Sequence, residues 1–286
     1  PYYALISVTK EKLFFISNVN GTFDLWVSDL NGENRIKIAN KPLISSKVRK
    51  GYNKIYYALD VSKGKELSRI YAWEEGKYKE IDMEPMRIFS ISYYHNTTVF
   101  SGSTMEENVV YVINKDKDLE KIFSSNKWIF VTDINEDYIV GNGTLAGNPK
   151  SMEIFIFDRN KNEHFVYTPK EGTFNLASSI HGSKIILESN VKGFKRLYIY
   201  DIEEKNLYEL DLEGKDYQKY NFQDFLAFSF TEDGKVWFVG LYDYRGYAFL
   251  NGYKIPHPEG TPTNLDVINE EIYISFSSLK TPFSIY

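Results

Sequence analysis

The side chains able to carry metal or thiol chemistry are few in this chain of 286 residues: four histidines, His95, His164, His181 and His257, and no cysteine. No two histidines share a metal-ligand spacing such as H-x-x-x-H. Without Cys, a catalytic thiol, a zinc ribbon and a disulfide framework are excluded. His95 and His181 fall in expected turns, His164 opens an outer strand and His257 stands between two prolines, so each reads as an exposed polar residue. The sequence G-x-S-x-G, which presents a serine nucleophile on a strand-to-helix turn, occurs nowhere. The expectation is that the chain holds no catalytic, cofactor-binding or metal-ligating residue, and takes no cofactor.

Carboxylates are the remaining candidates. Glu74-Glu75, Glu106-Glu107, Glu203-Glu204 and Glu270-Glu271 are adjacent pairs. Glycoside hydrolysis needs two carboxyls held about 5 to 10 Å apart across a sugar. These pairs fall in turns and loops, where charge is simply solvated. Asp133 and Asp266 differ, because both sit on expected innermost strands. An acidic ring at such positions could bind a peptide's amino terminus or a cation; the plainer expectation is two carboxylates touching channel water. The run Gly141-Asn142-Gly143-Thr144-Leu145-Ala146-Gly147 has glycines near a nucleotide-binding spacing, but a strand follows it where a dinucleotide loop requires a helix. A long hairpin loop is expected there. Asn96-Thr97-Thr98 has the form of a glycosylation acceptor, with no sign of secretion beside it.

The elements that must position these residues follow from composition and period. Aromatics make up 16% of the chain, which suits pleated, half-buried surfaces. The balance of 34 Lys and Arg against 39 Asp and Glu argues against nucleic-acid backbone as a partner. No apolar run is long enough to span a bilayer and no cleavable leader is visible, so a cytoplasmic chain without membrane contact is expected. Twenty-seven Lys to seven Arg, 23 Glu and no Cys match the bias of hyperthermophile proteins, although a small AT-rich mesophile genome would give a similar Lys excess.

Short apolar runs recur after polar turns, beginning at Leu13, Ile55, Val99, Ile139, Ile185, Val236 and Ile272, at intervals of 36 to 51 residues. A second run follows each: Asp24–Asp29, Arg69–Trp73, Val109–Ile113, Glu153–Asp158, Arg196–Asp201, Tyr247–Leu250 and Pro282–Tyr286. Shorter, more charged outer segments come next, such as Tyr78-Lys79-Glu80-Ile81, where charge blocks pairing with another chain. Innermost strands are expected at Ala4–Val8, Ile88–Ser92, Ile129–Asp133, Asn175–Ser179, Leu226–Phe230 and Asn264–Ile268, with a poorly marked one near Ser45–Arg49. Units of this length with four strands each are propeller blades. The expectation is one all-β propeller domain over residues 1–286, with repeats at 1–40, 41–84, 85–125, 126–171, 172–215, 216–258 and 259–286. The last has three strands; six blades is the alternative. An innermost strand comes first and no outermost strand comes last, so no strand swap should close blade 7 on blade 1. Asp29, Asp158 and Asp201 end their strands alike and are expected to start turns by bonding backbone two residues on.

The WD and kelch signatures are absent. The segment Phe14–Ala39, FFISNVNGTFDLWVSDLNGENRIKIA, resembles repeats of TolB-like propellers. It resembles still more the propeller domain of prolyl-oligopeptidase-family serine peptidases, in the acylaminoacyl-peptidase branch, with weaker copies at Ile186–Leu210 and Ile272–Tyr286. The ending Ser278–Tyr286 is similar to the segment that leads such propellers into an α/β-hydrolase domain. The resemblance implies a split design, in which a hydrolase domain absent from this chain carries Ser, Asp and His, and the propeller limits access to peptides. Peptide substrate on its way to that domain would be the partner. A free-standing TolB-like binding propeller is the alternative. A propeller glycosidase or lactonase would need channel acids or a metal.

Overall fold

The computed structural model describes residues 2–49, 53–62, 66–114, 119–268, 270–278 and 284–286. They form a seven-bladed β-propeller of antiparallel sheets, six with four strands and the last with three. Blade 1 is β1 (Tyr3–Val8), β2 (Lys12–Ser17), β3 (Asp24–Asp29) and β4 (Ile36–Ala39). Blade 2 is β5 (Ile44–Ser45), β6 (Lys54–Asp60), β7 (Ser68–Glu74) and β8 (Lys77–Glu80). Blade 3 is β9 (Arg87–Tyr94), β10 (Thr97–Ser103), β11 (Asn108–Ile113) and β12 (Leu119–Ser125). Blade 4 is β13 (Ile129–Ile134), β14 (Tyr138–Gly143), β15 (Glu153–Asp158) and β16 (Glu163–Tyr167). Blade 5 is β17 (Asn175–His181), β18 (Lys184–Ser189), β19 (Arg196–Asp201) and β20 (Asn206–Glu209). Blade 6 is β21 (Asp224–Phe230), β22 (Val236–Tyr242), β23 (Arg245–Leu250) and β24 (Tyr253–Lys254). Blade 7 is β25 (Thr261–Ile268), β26 (Glu271–Ser277) and β27 (Ser284–Ile285). One 3-10 turn, Asp216–Lys219, precedes blade 6.

The burial of each strand explains its composition. The middle strands are covered on both faces, so they read as continuous apolar runs rather than alternating ones. Every residue of β14 and β15 is buried, and all but the last of β3. The outermost strands face solvent; all four residues of β8 are exposed. Hairpin turns use the residues their geometry demands. Asn251 and Gly252 both have positive φ (47° and 86°), the two-residue turn whose twist matches its strands.

The chain packs as two compact units. One comprises Pro1–Pro42, Lys47–Lys54 and Asp211–Tyr286, and so holds blades 1, 6 and 7. The other comprises Leu43–Ser46 and Ile55–Leu210, and holds blades 2 to 5.

A device absent from the sequence reading recurs in the innermost strands. Six of them skip one residue in their pairing with the second strand: Ile6, Phe89, Thr132, Ser178, Leu226 and Thr263. Each is a β-bulge, which bends the strand and raises its twist.

Three expectations need correction. Asp158 and Asp201 accept backbone N–H groups two and three residues on, but Asp29 instead takes the side chains of Lys12 and Asn34. Gly141 to Gly143 are strand, not loop, because β14 runs to Gly143. A Cβ at Gly141 would stand 2.5 Å from the Phe130 carbonyl oxygen, so only glycine fits that approach. The weak innermost strand of blade 2 is shorter than expected, at Ile44–Ser45. Pro282 and Phe283, read as the start of the last strand, lie outside the described residues, as does most of the proposed lead-out segment.

Candidate functional site at the joint of blades 7 and 1

The ladder of β1 runs to β2 and that of β27 to β26. Among the described residues no ladder joins β27 to β1. Side chains do the joining. The Leu5 N–H donates to Ser275 Oγ at 2.6 Å, and the Leu5 carbonyl accepts from Asn264 Nδ2 at 3.1 Å. Val8 N–H donates to Asp266 Oδ2 at 2.8 Å, while Asp266 Oδ1 takes the N–H of Val267 at 3.0 Å. Beneath these bonds Leu5, Val8, Leu13, Phe15 and Trp26 pack with Ile268 of blade 7.

The innermost strand has a ladder on one side only, so alternate N–H groups point away from it. The bulge sets their spacing: Leu5 immediately precedes bulged Ile6 and Val8 stands two after it, and both N–H groups reach blade 7. A buried N–H without a partner costs about 1–3 kcal/mol, so each needs an acceptor. Blade 5 repeats the arrangement around bulged Ser178. Ala177 N–H donates to Asn142 Oδ1 at 2.7 Å and Ile180 N–H to Asp133 Oδ2 at 3.0 Å. Asn142 also returns its amide to the Ala177 carbonyl at 2.8 Å. In blade 4, Val131 N–H before bulged Thr132 has two acceptors in blade 3, Ser90 Oγ at 2.9 Å and Ser101 Oγ at 3.2 Å. Ser7 Oγ likewise takes Val48 N–H at 2.9 Å.

Asp133 and Asp266, singled out as channel-facing acids, are thus acceptors for the next blade's backbone. Asp266 keeps part of its surface open, but its carboxylate lies deep among protein atoms. That burial pushes it up to about 6, against the downward pull of Val8 N–H, the Lys47 charge and Val267 N–H. Glu232 adds a small push upward.

The histidines stay apart. His95, at φ 51°, occupies the turn between β9 and β10 with its ring edge-on to Tyr94. His164 lies on β16 against Phe123 and Phe155. His181 ends β17, exposed. His257 lines a cleft of about 280 Å³ with Ile255, Ile274, Phe276 and Tyr286, its Nδ1 2.9 Å from the Pro258 carbonyl oxygen. Among the described residues no three His, Asp or Glu side chains gather as a metal site, and no helix is long and apolar enough to cross a membrane. Glu203 and Glu204 sit in a turn, Glu106 and Glu107 before β11, and Glu271 opens β26.

Sequence reasoning missed Asn142, Ser275, Ser90 and Ser101. A signal existed. Ser17, Ser101, Asn142, Ser189 and Ser275 are each a buried polar residue near the end of an apolar second strand. Such a residue must be hydrogen-bonded, and the partner is either its own loop or the neighbouring blade.

Residues 14–286 match the family described as acylamino-acid-releasing enzyme-like, N-terminal domain. Among solved structures, the β-propeller domain of the trilobed protease from Pyrococcus furiosus, described as having an open velcro topology, superposes with a TM-score of 0.73. It is 15% identical, over 99% of this chain and 92% of that one. The acylaminoacyl peptidase of Pyrococcus horikoshii gives 0.72 at 14% identity, over 100% of this chain and 50% of that one. Prolyl oligopeptidase B of Galerina marginata gives 0.68 at 10%, over 96% and 46%. The chain therefore spans about half the length of the latter two proteins.

Proposed function

The chain belongs to the family of acylamino-acid-releasing enzyme-like N-terminal domains, and on that premise we propose that it is a non-catalytic propeller domain that gates peptide access to an α/β-hydrolase active site. In this reading residues 1–286 act as one domain of a cytoplasmic serine peptidase of the acylaminoacyl-peptidase or oligopeptidase type. The propeller supplies no nucleophile or base, and selects by size. The observation that carries the reading is the joint of blades 7 and 1, held, among the described residues, through side chains rather than a shared strand. Such a joint opens at lower cost than a ladder, because few hydrogen bonds must break together.

The test uses the full-length protein. The reading requires chain beyond this propeller, about as long again, that contains G-x-S-x-G. Loosening the joint with Asp266→Ala and Ser275→Ala should raise kcat/KM for long peptides while leaving a dipeptide-sized substrate unchanged. Equal change for both would mean that the propeller supports the active site's geometry instead. The alternative, a free-standing binding propeller, is favoured by exposed apolar residues on loops between second and third strands. These are Phe23, Met105, Phe194 and Tyr244. A gene that ends with the propeller would select it.

A further inference from the structure

Blade 7 leaves half of its middle strand open on one edge. The Ile274 N–H donates to the Tyr286 carbonyl at 2.8 Å, and the Tyr286 N–H to the Ile274 carbonyl at 3.0 Å. Antiparallel strands exchange such a pair of bonds at every second residue. The next pair therefore falls at Ile272, whose N–H and carbonyl point to the same edge as those of Ile274. Among the described residues nothing takes them, because the pairing of β27 with β26 stops at Ile274. The third strands of the other six blades run for six or seven residues, against two described in β27. An open edge of this kind is a template for one more length of extended chain.

The side chains flanking that edge have room beside them. Ile274 and Phe276 turn toward blade 6 and pack with Trp237, Val239 and Ile255, with Ile272 beside them. Tyr286 shares their face, and with Ile255 and His257 they line the cleft of about 280 Å³. Tyr273 and Ile285 turn the other way, onto the Leu5, Val8 and Trp26 cluster of blade 1. A strand continued in register past Tyr286 alternates in the same way. Its first residue lies opposite Tyr273 and faces blade 1; its second lies opposite Ile272 and faces the cleft.

We propose that the residues following Tyr286 in the full-length protein extend β27 along β26 to Ile272, fill the cleft with the second of their side chains, and so tie the joint of blades 7 and 1 to the domain beyond. This rests on the gating reading, which requires such a chain. A segment already anchored by the Ile274–Tyr286 pair adds to the edge at less entropic cost than a free peptide. Its first side chain adds apolar cover on the blade 1 side, so a pull on this strand from the next domain loosens the joint.

The test is hydrogen exchange on the full-length protein. The Ile272 amide should exchange roughly a hundredfold or more slowly than an unstructured amide. The second residue after Tyr286 should be apolar. Its replacement by proline removes one strand N–H and should speed the Ile272 amide roughly tenfold and the Leu5 amide several-fold, with the Ile180 amide of blade 5 unchanged. Should that variant fail to fold, alanine at the same place empties the cleft and should speed the same two amides several-fold. A freely exchanging Ile272 amide, or a proline or charged residue naturally at that second position, would overturn the proposal. Protection that depends on protein concentration would overturn it too, by showing a second copy on the edge. A gene that ends at Tyr286 would remove the gating reading and this occupant together. A chain that continues through G-x-S-x-G but leaves Ile272 unprotected would remove this inference alone.

Discussion

The joint between blades 4 and 5 and the joint between blades 7 and 1 are gripped by the same backbone handles and differ in what grips them. In both, the N–H groups before and two residues after a bulge are taken by a polar residue of the second strand and an aspartate of the innermost strand. At the first joint the second-strand residue is Asn142, which satisfies both the N–H and the carbonyl of Ala177. At the other, Ser275 takes only the Leu5 N–H, and a separate residue, Asn264, serves the carbonyl. The apolar support differs as well. Tyr138, Val140, Ile154, Ile156, Tyr198 and Tyr200 are among the buried residues packed around Ala177 and Ile180. Among the described residues, a smaller set lies around Leu5 and Val8. One repeat therefore yields joints of unequal strength, and among the described residues the joint with the smaller apolar support is the weaker.

The largest effect is expected at Asn142. Asn142→Leu leaves two buried backbone groups unpaired and should cost about 3 kcal/mol in urea unfolding. A loss no greater than that of Ser275→Ala would break the comparison.

Asp266 comes next, through pH. Its carboxyl rises to about 6 from an ordinary 3.8, so the folded state holds its proton more tightly than the unfolded. The stability it contributes is fully present below pH 3.8 and is lost as pH rises through about 6. Between pH 3.8 and 7.5 the wild type should thus lose roughly 2 to 3 kcal/mol relative to Asp266→Asn, read from unfolding at each pH. Parallel pH profiles would remove Asp266 from the account of the joint.

Ser275→Ala should cost about 1 kcal/mol. In hydrogen exchange it should speed the Leu5 amide more than the Val8 amide, which keeps Asp266 as its acceptor. The smallest effect sharpens the comparison from a third joint. Ser90 and Ser101 lie 2.7 Å apart and both reach Val131 N–H. Ser90→Ala alone should therefore cost under about 0.5 kcal/mol, and the double variant with Ser101→Ala about 1 kcal/mol or more, a non-additive pair.

Strands were legible in the sequence because burial on both faces leaves a continuous apolar run, as in Glu153–Asp158. The seven units, and the three strands of the last among the described residues, followed from counting those runs. The innermost strand of blade 2 was faint because only Ile44 and Ser45 enter it. The bulges were illegible for a physical reason. The skipped residues Ile6, Phe89, Thr132, Ser178, Leu226 and Thr263 share no side-chain chemistry, since a bulge of this kind is a backbone event. Asp133 and Asp266 were visible as inner-strand acids, but their partners are amides on another blade, and pairing across a joint has no spacing in the chain. Asn142 was hidden by its glycine neighbours, which suggested a loop.

The bulge has one more consequence, for how such a protein drifts over evolutionary time. At the joints of blades 3 and 4, 4 and 5, and 7 and 1 the receiving blade offers main-chain groups alone, a carbonyl or a peptide N–H, and only proline lacks the N–H. Leu5, Val131 and Ala177 answer to the same kind of grip with different side chains. Inheritance of the joint therefore constrains the giver and leaves the receiver free, apart from a ban on proline. Whole blades can diverge, or be copied and shuffled, with the docking rule intact. A chain built this way can share its architecture with solved structures that have only 10 to 15% of its residues in common.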